Sequence, residues 1–308
     1  MFFIRLWGTR GSIACAGPET AEFGGNTISI EIRAGSTVSC VDFGTGVRPF
    51  GAYLLEHDIP NGLTNINFFI THTHWDHIIG FPMFTPVYIP KIKLNIYSPY
   101  MINGKTLEQL IKTELAYEYW PVGLNEMSAG FTFHQLRETT VDLKNGLRVV
   151  TKYLNHPVIN MGYRFEYEGK SIAVVHDTEP FFNQFSPALS SKRGGGSFFD
   201  EDASREAEKT AGIENGKIIS FMKNADIAVY DAQYTEEQYI TEKLNWGHSS
   251  YECAAENAIA AGVSRLILNH HDPSRGDTVL CEIEARLKKQ YAGTIQIDMA
   301  REGMKLDL

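Results

Sequence analysis

Three histidines and an aspartate fall within six positions of the segment THTHWDHIIG: His72, His74, Asp76 and His77. Imidazole nitrogens and carboxylate oxygens are ligands for divalent first-row metals, zinc above all, with manganese or iron suited to the same donors. His72 and His74 lie two apart, so on an extended backbone both rings project from one side and can grip one ion. Asp76 and His77 follow as the chain turns. Adjacent residues leaving a strand point in different directions, which makes this pair candidates for a neighbouring ion. A dinuclear site needs more than four ligands, and later strand ends offer His156 (NHPV), Asp177 (VHDTEP) and His270 (NHHDPSR).

The elements that must hold these residues are legible around them. INFFI, apolar but for Asn67, is a run of strand length that delivers the chain to the motif, so the motif sits at a strand end. FFIRLWG, NTISIEIRAG and STVSCVDFG precede it as strands with glycine punctuation, and a helix is expected around residues 49–57. KLNIYSP reads as a strand, and KTLEQLIKTELAYEYW as a helix running until Pro121 stops it. GLRVVTKYLNH, MGYRFEYEG and SIAVVHD repeat the strand-and-turn rhythm. The stretch from about 181 to 223, rich in Gly, Ser and charge, reads as an insertion, partly mobile. ADIAVYD and VSRLILN are buried strands around a helix, SSYECAAENAIAAG, opened by a capping box of Ser249 and Glu252 and closed near Gly262. Strand-rich halves that each end in helices imply two packed sheets with helices outside, in one domain over residues 1–308.

Composition narrows the partners. The formal charge of −9 argues against the broad basic surface that a long nucleic acid requires, while a local positive site can still bind a small anion. MFFIRLWG lacks a cleavage pattern and no apolar stretch reaches spanning length, so a cytoplasmic protein that does not enter a membrane is expected. Cys15, Cys40, Cys253 and Cys281 show no paired spacing, which points to reduced core thiols rather than disulfides or a thiolate metal site.

With its HxHxDH motif, later histidine, later aspartate and final histidine in order, the chain resembles the metallo-β-lactamase superfamily over nearly its whole length. The resemblance implies an α/β protein built as a four-layer αββα sandwich, with two divalent metal ions at the sheet edges. It implies that His72, His74 and His156 hold the first ion, that Asp76, His77 and His270 hold the second, and that Asp177 bridges them. Asp42, before the turn GTG, matches the family's early aspartate, a supporting residue rather than a ligand. His176 and His271 flank assigned ligands and are taken as bystanders, because neighbours in extended chain face opposite ways.

Within the superfamily, β-lactamases usually place cysteine where Asp177 stands, and a redox di-iron branch alters the HxHxD histidines. Neither pattern occurs here. DAQY at 231–234 followed by WGHSS at 246–250 resembles the RNase Z-like and cyclic-nucleotide phosphodiesterase-like branch, in which an acidic residue plus alanine precedes a His-Ser-Thr or His-Ser-Ser loop. By that resemblance His248 is the catalytic histidine and Asp231 its acidic partner, and Asp76 counts with them among the catalytic candidates. GTRGS at 8–12, GGNT at 24–27, IYSP at 96–99 and GYRFE at 162–166 resemble further segments of the branch. The glyoxalase and lactonase branches share the metal ligands but lack the His248 loop.

Departures set the expected substrate. RNase Z-type enzymes that carry an exosite arm place it between the positions of His156 and Asp177, and the spacing here leaves no room for one. The insertion after Asp177 holds few basic residues beyond Lys192 and Arg193. A hydrolase of small anionic phosphodiesters such as cyclic nucleotides is therefore expected, ahead of an RNA 3′-end or oligonucleotide nuclease and of a metal-containing nucleotide sensor without turnover. Two divalent ions outweigh the charge of Asp76 and Asp177, which favours a phosphodiester oxygen and activates the attacking water. His248 would give a proton to the leaving alkoxide or hydrogen-bond the phosphoryl oxygen, oriented and kept protonated by Asp231. Arg10 and Arg48, near glycine-rich turns, are candidates for phosphate binding, with a surface salt bridge as the alternative. Trp75 is open between packing and pocket lining. A homodimer is expected by analogy with the branch alone.

Overall fold

INFFI illustrates why the expected strands form. Ile66 and Phe68 pack with Val47, Phe50 and Leu54 of helix α1 (Val47–His57) on one side. Phe69 turns to the other side, against the rings of Tyr163 and Phe165 at 5.2 and 5.3 Å. A strand covered on both faces needs apolar residues at consecutive positions rather than alternate ones. The computed structural model describes residues 1–101, 104–183, 185 and 201–308.

Strands β1 (Phe2–Gly8), β2 (Ser29–Ala34), β3 (Thr37–Val41), β4 (Asn65–Phe69), β5 (Lys93–Pro99) and β6 (Gly130–Leu136) join β14 (Lys305–Asp307) in one sheet, ordered β14-β1-β2-β3-β4-β5-β6. The second sheet uses β7 (Thr140–Asp142), β8 (Arg148–Leu154), β9 (Asn160–Tyr167), β10 (Lys170–Val175), β11 (Ile227–Asp231), β12 (Arg265–Asn269) and β13 (Gln296–Met299), in the order β13-β12-β11-β10-β9-β8-β7. Each sheet begins with antiparallel pairings, from β14 to β3 and from β7 to β10, and continues with parallel ones. The halves thus repeat one topology that no repeat in the residues announces.

The apolar layer between the sheets joins Ile4, Ile30 and Ile32 to Tyr163, Ile172 and Val229. The outer face of the second sheet packs under helices α4 (Glu201–Phe221), α5 (Tyr251–Ala260) and α6 (Asp277–Gln290) through Ala228, Leu266 and Leu268. Short helix α2 (Trp75–Ile78) and α3 (Leu107–Glu114) belong to the first half. The result is the expected αββα sandwich.

Three local expectations need correction, and the 181–223 segment gains a structural description. Helix α3 ends at Glu114 rather than near Pro121, because Leu115 is its last core anchor and Tyr117 and Tyr119 beyond it are exposed. Most of the described part of the 181–223 segment is a helix, α4; residues 184 and 186–200, including Lys192 and Arg193, lie outside the described residues. Helix α5 is capped by Ser250, whose hydroxyl accepts from the Cys253 N–H, while the Ser249 hydroxyl instead donates to the Thr178 carbonyl at 2.6 Å. The cap therefore sits one residue beyond the expected position, and with Cys253 at the third helical position no capping box forms. Of the cysteines, Cys40 alone is fully buried; Cys15, Cys253 and Cys281 are half-buried, and all four are free.

Candidate functional site

Every residue singled out in the sequence as a ligand or proton carrier lies at one end of the two sheets, beyond or at the carboxyl ends of strands, where open α/β sheets offer a crevice. Beyond β4 the chain stays extended through His74 (φ −65°, ψ 152°), then turns into α2, which carries Asp76 and His77. His156 follows β8, Asp177 follows β10, Asp231 ends β11, His270 follows β12, and His248 lies in the loop before α5. Asp42, Asp177 and His270 each adopt positive φ, of 62°, 50° and 66°. Such backbone is costly for a side-chain-bearing residue and persists where the surroundings fix it. The sharp turn aims each side chain inward across the sheet edge.

The side chains converge as two groups. His72, His74, His156 and Asp177 offer ligand atoms within 4.8 Å of one another, and so do Asp76, His77 and His270. Asp177 joins them: Oδ2 lies 3.5 Å from His72 Nε2 and 3.4 Å from His77 Nε2, and Oδ1 lies 3.2 Å from His270 Nε2. A further group of Asp177, Asp231, His248 and His270 meets the same criterion, but Asp231 and His248 are already bonded to each other.

Outward-facing ring nitrogens are held by hydrogen-bonding partners. His77 Nδ1 donates to Asp42 Oδ2 at 2.8 Å, and Thr71 ties the same carboxylate to His72 Nδ1 at 3.1 Å. His156 Nδ1 donates to the Gly247 carbonyl at 2.9 Å. His270 Nδ1 lies 2.6 Å from the Gln233 amide and 3.5 Å from Asp231 Oδ1. Fixing one nitrogen leaves the other to face the centre in a defined tautomer, as metal-ligating histidines require. Two glycines allow this approach. A Cβ at Gly11 would stand 2.6 Å from the His270 ring, and one at Gly247 2.4 Å from His156 Nδ1.

The electrostatics are those of a site prepared for cations. Burial disfavours a charged ring at His77, yet the carboxylates of Asp76, Asp177 and Asp42 outweigh it and hold its pKa well above the imidazole range. His270 is lifted against burial to about 10 by Asp177, Asp231 and Asp76. His72 is driven well below the usual value by burial and by the neighbouring His77 charge, and His156 falls to about 4, chiefly through burial. Asp177 is held well below the carboxylate range because His270 and His77 overcome its burial. His72 Nε2 and Asp177 Oδ1 are buried without a hydrogen bond, an arrangement that costs about 1–3 kcal/mol per group. Divalent ions fit these donors: they would give both orphaned atoms a partner and take over the neutralisation now supplied by protons on His77 and His270.

Beside both groups stands His248. Its ring stacks on His270 at 5.0 Å and lies 5.6 Å from His156, while Nδ1 donates to Asp231 Oδ2 at 3.1 Å. Asp231 is wholly buried and also accepts from the N–H groups of Thr178 and Ser249. The His248 charge outweighs burial and keeps the Asp231 carboxyl below its ordinary pKa. The buried neighbours face elsewhere: His271 Nε2 donates to the Ala300 carbonyl at 2.8 Å, and His176 Nε2 lies 3.4 Å from the Asn269 amide.

The remaining candidates separate clearly. Arg10 is withdrawn from the surface, and its one ion pair among the described residues, Nη2 at 3.8 Å from Asp277 Oδ1, is formed from a buried position. It is fully buried, donating to the carbonyls of Gly24 at 2.7 Å and Arg275 at 2.6 Å, and so ties the glycine-rich first loop to the segment after His270. Arg10→Met is expected to destabilise the fold by about 2–4 kcal/mol through the abandoned carbonyls, with KM unchanged. Thermal unfolding and steady-state kinetics check this; unchanged stability with raised KM would return Arg10 to substrate binding. Arg48 is exposed on α1, and Trp75 is 70% exposed between His74 and Asp76, which excludes it from the core.

Sequence reasoning missed Gln233 and Glu179. Both stand inside quoted motifs, DAQY and HDTEP, and adjacency to an acidic site residue was the available signal. A cavity of about 400 Å³ adjoins the site, walled by His156, Pro157, Glu179, Phe181, Phe182 and Asn245 with Asn155. A larger cleft of about 840 Å³, lined by residues such as Arg33, Asn67, Asn95 and His134, contains none of the site residues.

No family model matches the chain. Ribonuclease Z from Methanothermobacter thermautotrophicus is 27% identical over 263 residues, 80% of each protein. Among solved structures, the metallo-beta-lactamase fold protein YhfI from Bacillus subtilis superposes with a TM-score of 0.63 at 14% identity, over 99% of this chain and 98% of that one. A diphosphatase of the PhnP family gives 0.61 at 15% identity, over 100% and 98%. At those identities the two structures establish the fold.

Proposed function

We propose that this chain, a member of the metallo-β-lactamase superfamily in its ribonuclease Z-like branch, is a dinuclear-metal-dependent phosphodiesterase acting on small phosphodiesters such as cyclic nucleotides. The observation that carries the reading is the Asp231–His248 pair seated against both donor groups. A lactam or thioester hydrolase needs the donor groups alone; a buried carboxylate that orients a histidine beside them suits a reaction whose leaving oxygen must be protonated.

His72, His74, His156 and Asp177 would hold one divalent ion, and Asp76, His77 and His270 with Asp177 shared would hold the other. Imidazole-rich donors of this kind make zinc the metal of choice. Bound there, the ions supply Lewis-acid stabilisation of the phosphoryl oxygen and activation of the attacking water. His248 does the remaining work. With Nδ1 engaged by Asp231, Nε2 is the nitrogen left for substrate, and the ionised Asp231 carboxylate stabilises the imidazolium that delivers a proton to the departing alkoxide. Asp76 is held in place by the Ser12 N–H at 2.7 Å, which links the glycine-rich first loop to the same centre.

Two features support a small substrate. Strands β9 and β10 form a hairpin closed by Glu168 and Gly169, so the chain between His156 and Asp177 is spent on two strands and carries no arm. The exposed indole of Trp75, between His74 and Asp76, offers a flat apolar face on which a nucleobase can stack, while Trp246, two residues before His248, already carries the Lys243 ammonium over its ring at 3.9 Å. The name of the ribonuclease Z relative favours a second reading, cleavage at an RNA 3′ end. The acidic chain weighs against it.

Zinc-loaded protein is expected to release p-nitrophenolate from bis-p-nitrophenyl phosphate. The absence of release by protein shown to carry both ions would overturn the phosphodiesterase reading.

A further inference from the structure

Glu179 lies two residues after Asp177 and is 4% exposed, yet no cation is paired with it among the described residues. Three donors saturate its carboxylate. Oε1 accepts from the Tyr239 hydroxyl at 3.0 Å and the Asn245 N–H at 2.7 Å; Oε2 accepts from the Gly247 N–H at 3.0 Å. Burying a carboxylate is expensive, and hydrogen bonds from fixed donors offset the cost only if those donors stay in place. The 239–247 segment begins as a π-helix, Tyr239–Lys243, and ends at Asn245 and Gly247 with φ of 68° and 82°. Beyond the π-helix the loop is irregular, with the Trp246 N–H donating to the Lys243 carbonyl at 3.2 Å.

Both sides of this carboxylate lead to the site. On one side, the Glu179 N–H donates to the Asn155 carbonyl at 2.9 Å and the Asn155 amide donates back to the Glu179 carbonyl at 2.9 Å, which pins the residue before His156. On the other, Gly247, immediately before His248, donates its N–H to Glu179 Oε2 and accepts on its carbonyl from His156 Nδ1. Ser249 and Thr178 clamp the next step of the same two segments at 2.6 Å.

We propose that Glu179 is a positioning residue of the reaction: its carboxylate fixes the 245–247 loop so that His248, the next residue, is presented to the donor groups. The inference rests on the phosphodiesterase reading above and assigns to Glu179 no contact with substrate. Its effect on rate passes through the placement of His248, since displacement of a catalytic group by a fraction of an ångström lowers the rate without weakening binding.

Glu179→Gln keeps the size of the side chain and replaces one acceptor oxygen by a donor that faces an N–H or hydroxyl group. On a cyclic nucleotide, kcat is expected to fall about tenfold or more with KM within about twofold. The ion content per chain, read by elemental analysis, stays that of the wild type. The deciding measurement is the same substitution in a His248→Ala background, where it is expected to change kcat by less than about twofold because the group it positions is gone. Tyr239→Phe, which removes one of the three donors, gives a smaller loss that is likewise absent without His248, and decides the matter if Glu179→Gln does not fold. Equal losses in both backgrounds, or loss of metal, overturn the inference alone. A wild-type protein inactive on the diester overturns the phosphodiesterase reading and this inference with it.

Discussion

His248→Ala lowers kcat on a cyclic nucleotide by about a hundredfold or more, the usual worth of a general acid, and leaves the ions bound. The ions stay because His248 Nδ1 is spent on Asp231 and the ring adds nothing that the two donor groups lack. On bis-p-nitrophenyl phosphate the same variant loses less, since p-nitrophenolate departs without a proton and only the orienting part of the contribution disappears. Asp231→Asn follows His248→Ala in direction: the amide no longer stabilises the imidazolium, and it also disturbs the N–H groups of Thr178 and Ser249. Steady-state kinetics on both diesters decide the assignment. Equal losses on the two would place His248 on the phosphoryl oxygen instead of the leaving group, and unchanged rates would remove it from the mechanism.

Stripping the ions, or replacing Asp177 by alanine, is expected to abolish activity, and zinc restores it only to the stripped wild type. The protein left behind carries protons in place of metal. The surrounding carboxylates raise His270 to about 10 and His77 well above its ordinary value, so the metal-free site favours protons that an ion must displace, because a ligating imidazole is neutral. Metal uptake therefore releases protons, and apparent affinity rises with pH up to about 10, the value of His270. The sign for stability is opposite. A histidine whose folded pKa lies above its unfolded value of about 6.5 stabilises the fold fully below that value and loses the contribution as pH climbs through its folded pKa. The metal-free chain consequently weakens on the alkaline side, and the ion-bound chain is spared by that route. Calorimetric titration in buffers of different ionisation enthalpy reads the proton release directly. Metal binding without release would contradict the charge balance described for the site.

Much of this was legible in the residues, for reasons specific to each. INFFI announced a strand buried on both faces, and His72 and His74 at a spacing of two announced a shared direction, because both statements depend only on local geometry. His270 against His271 was a choice between adjacent rings, and a positive φ that sequence does not display turns His270 toward the donor groups and leaves His271 on the Ala300 carbonyl. The expected helix to Pro121 stops early because burial, not propensity, sets its end at Leu115. Arg10 looked like a phosphate ligand beside glycines, whereas the glycines let its guanidinium sink among backbone carbonyls. Glu179 and Gln233 act through loops more than thirty residues away in sequence, as the Gly247 and His270 contacts show, and such long-range bonds leave no periodic trace. The shared topology of the two halves is likewise a property of strand order alone.

The most direct test of the central claim sets two substrates before the same zinc-loaded protein: a cyclic nucleotide and a tRNA precursor with a 3′ extension. The phosphodiesterase reading predicts opening of the cyclic nucleotide to the monophosphate, with kcat/KM above that for trailer removal, and loss of this activity in His248→Ala. Removal of the trailer by a protein that leaves the cyclic nucleotide and bis-p-nitrophenyl phosphate intact would contradict it.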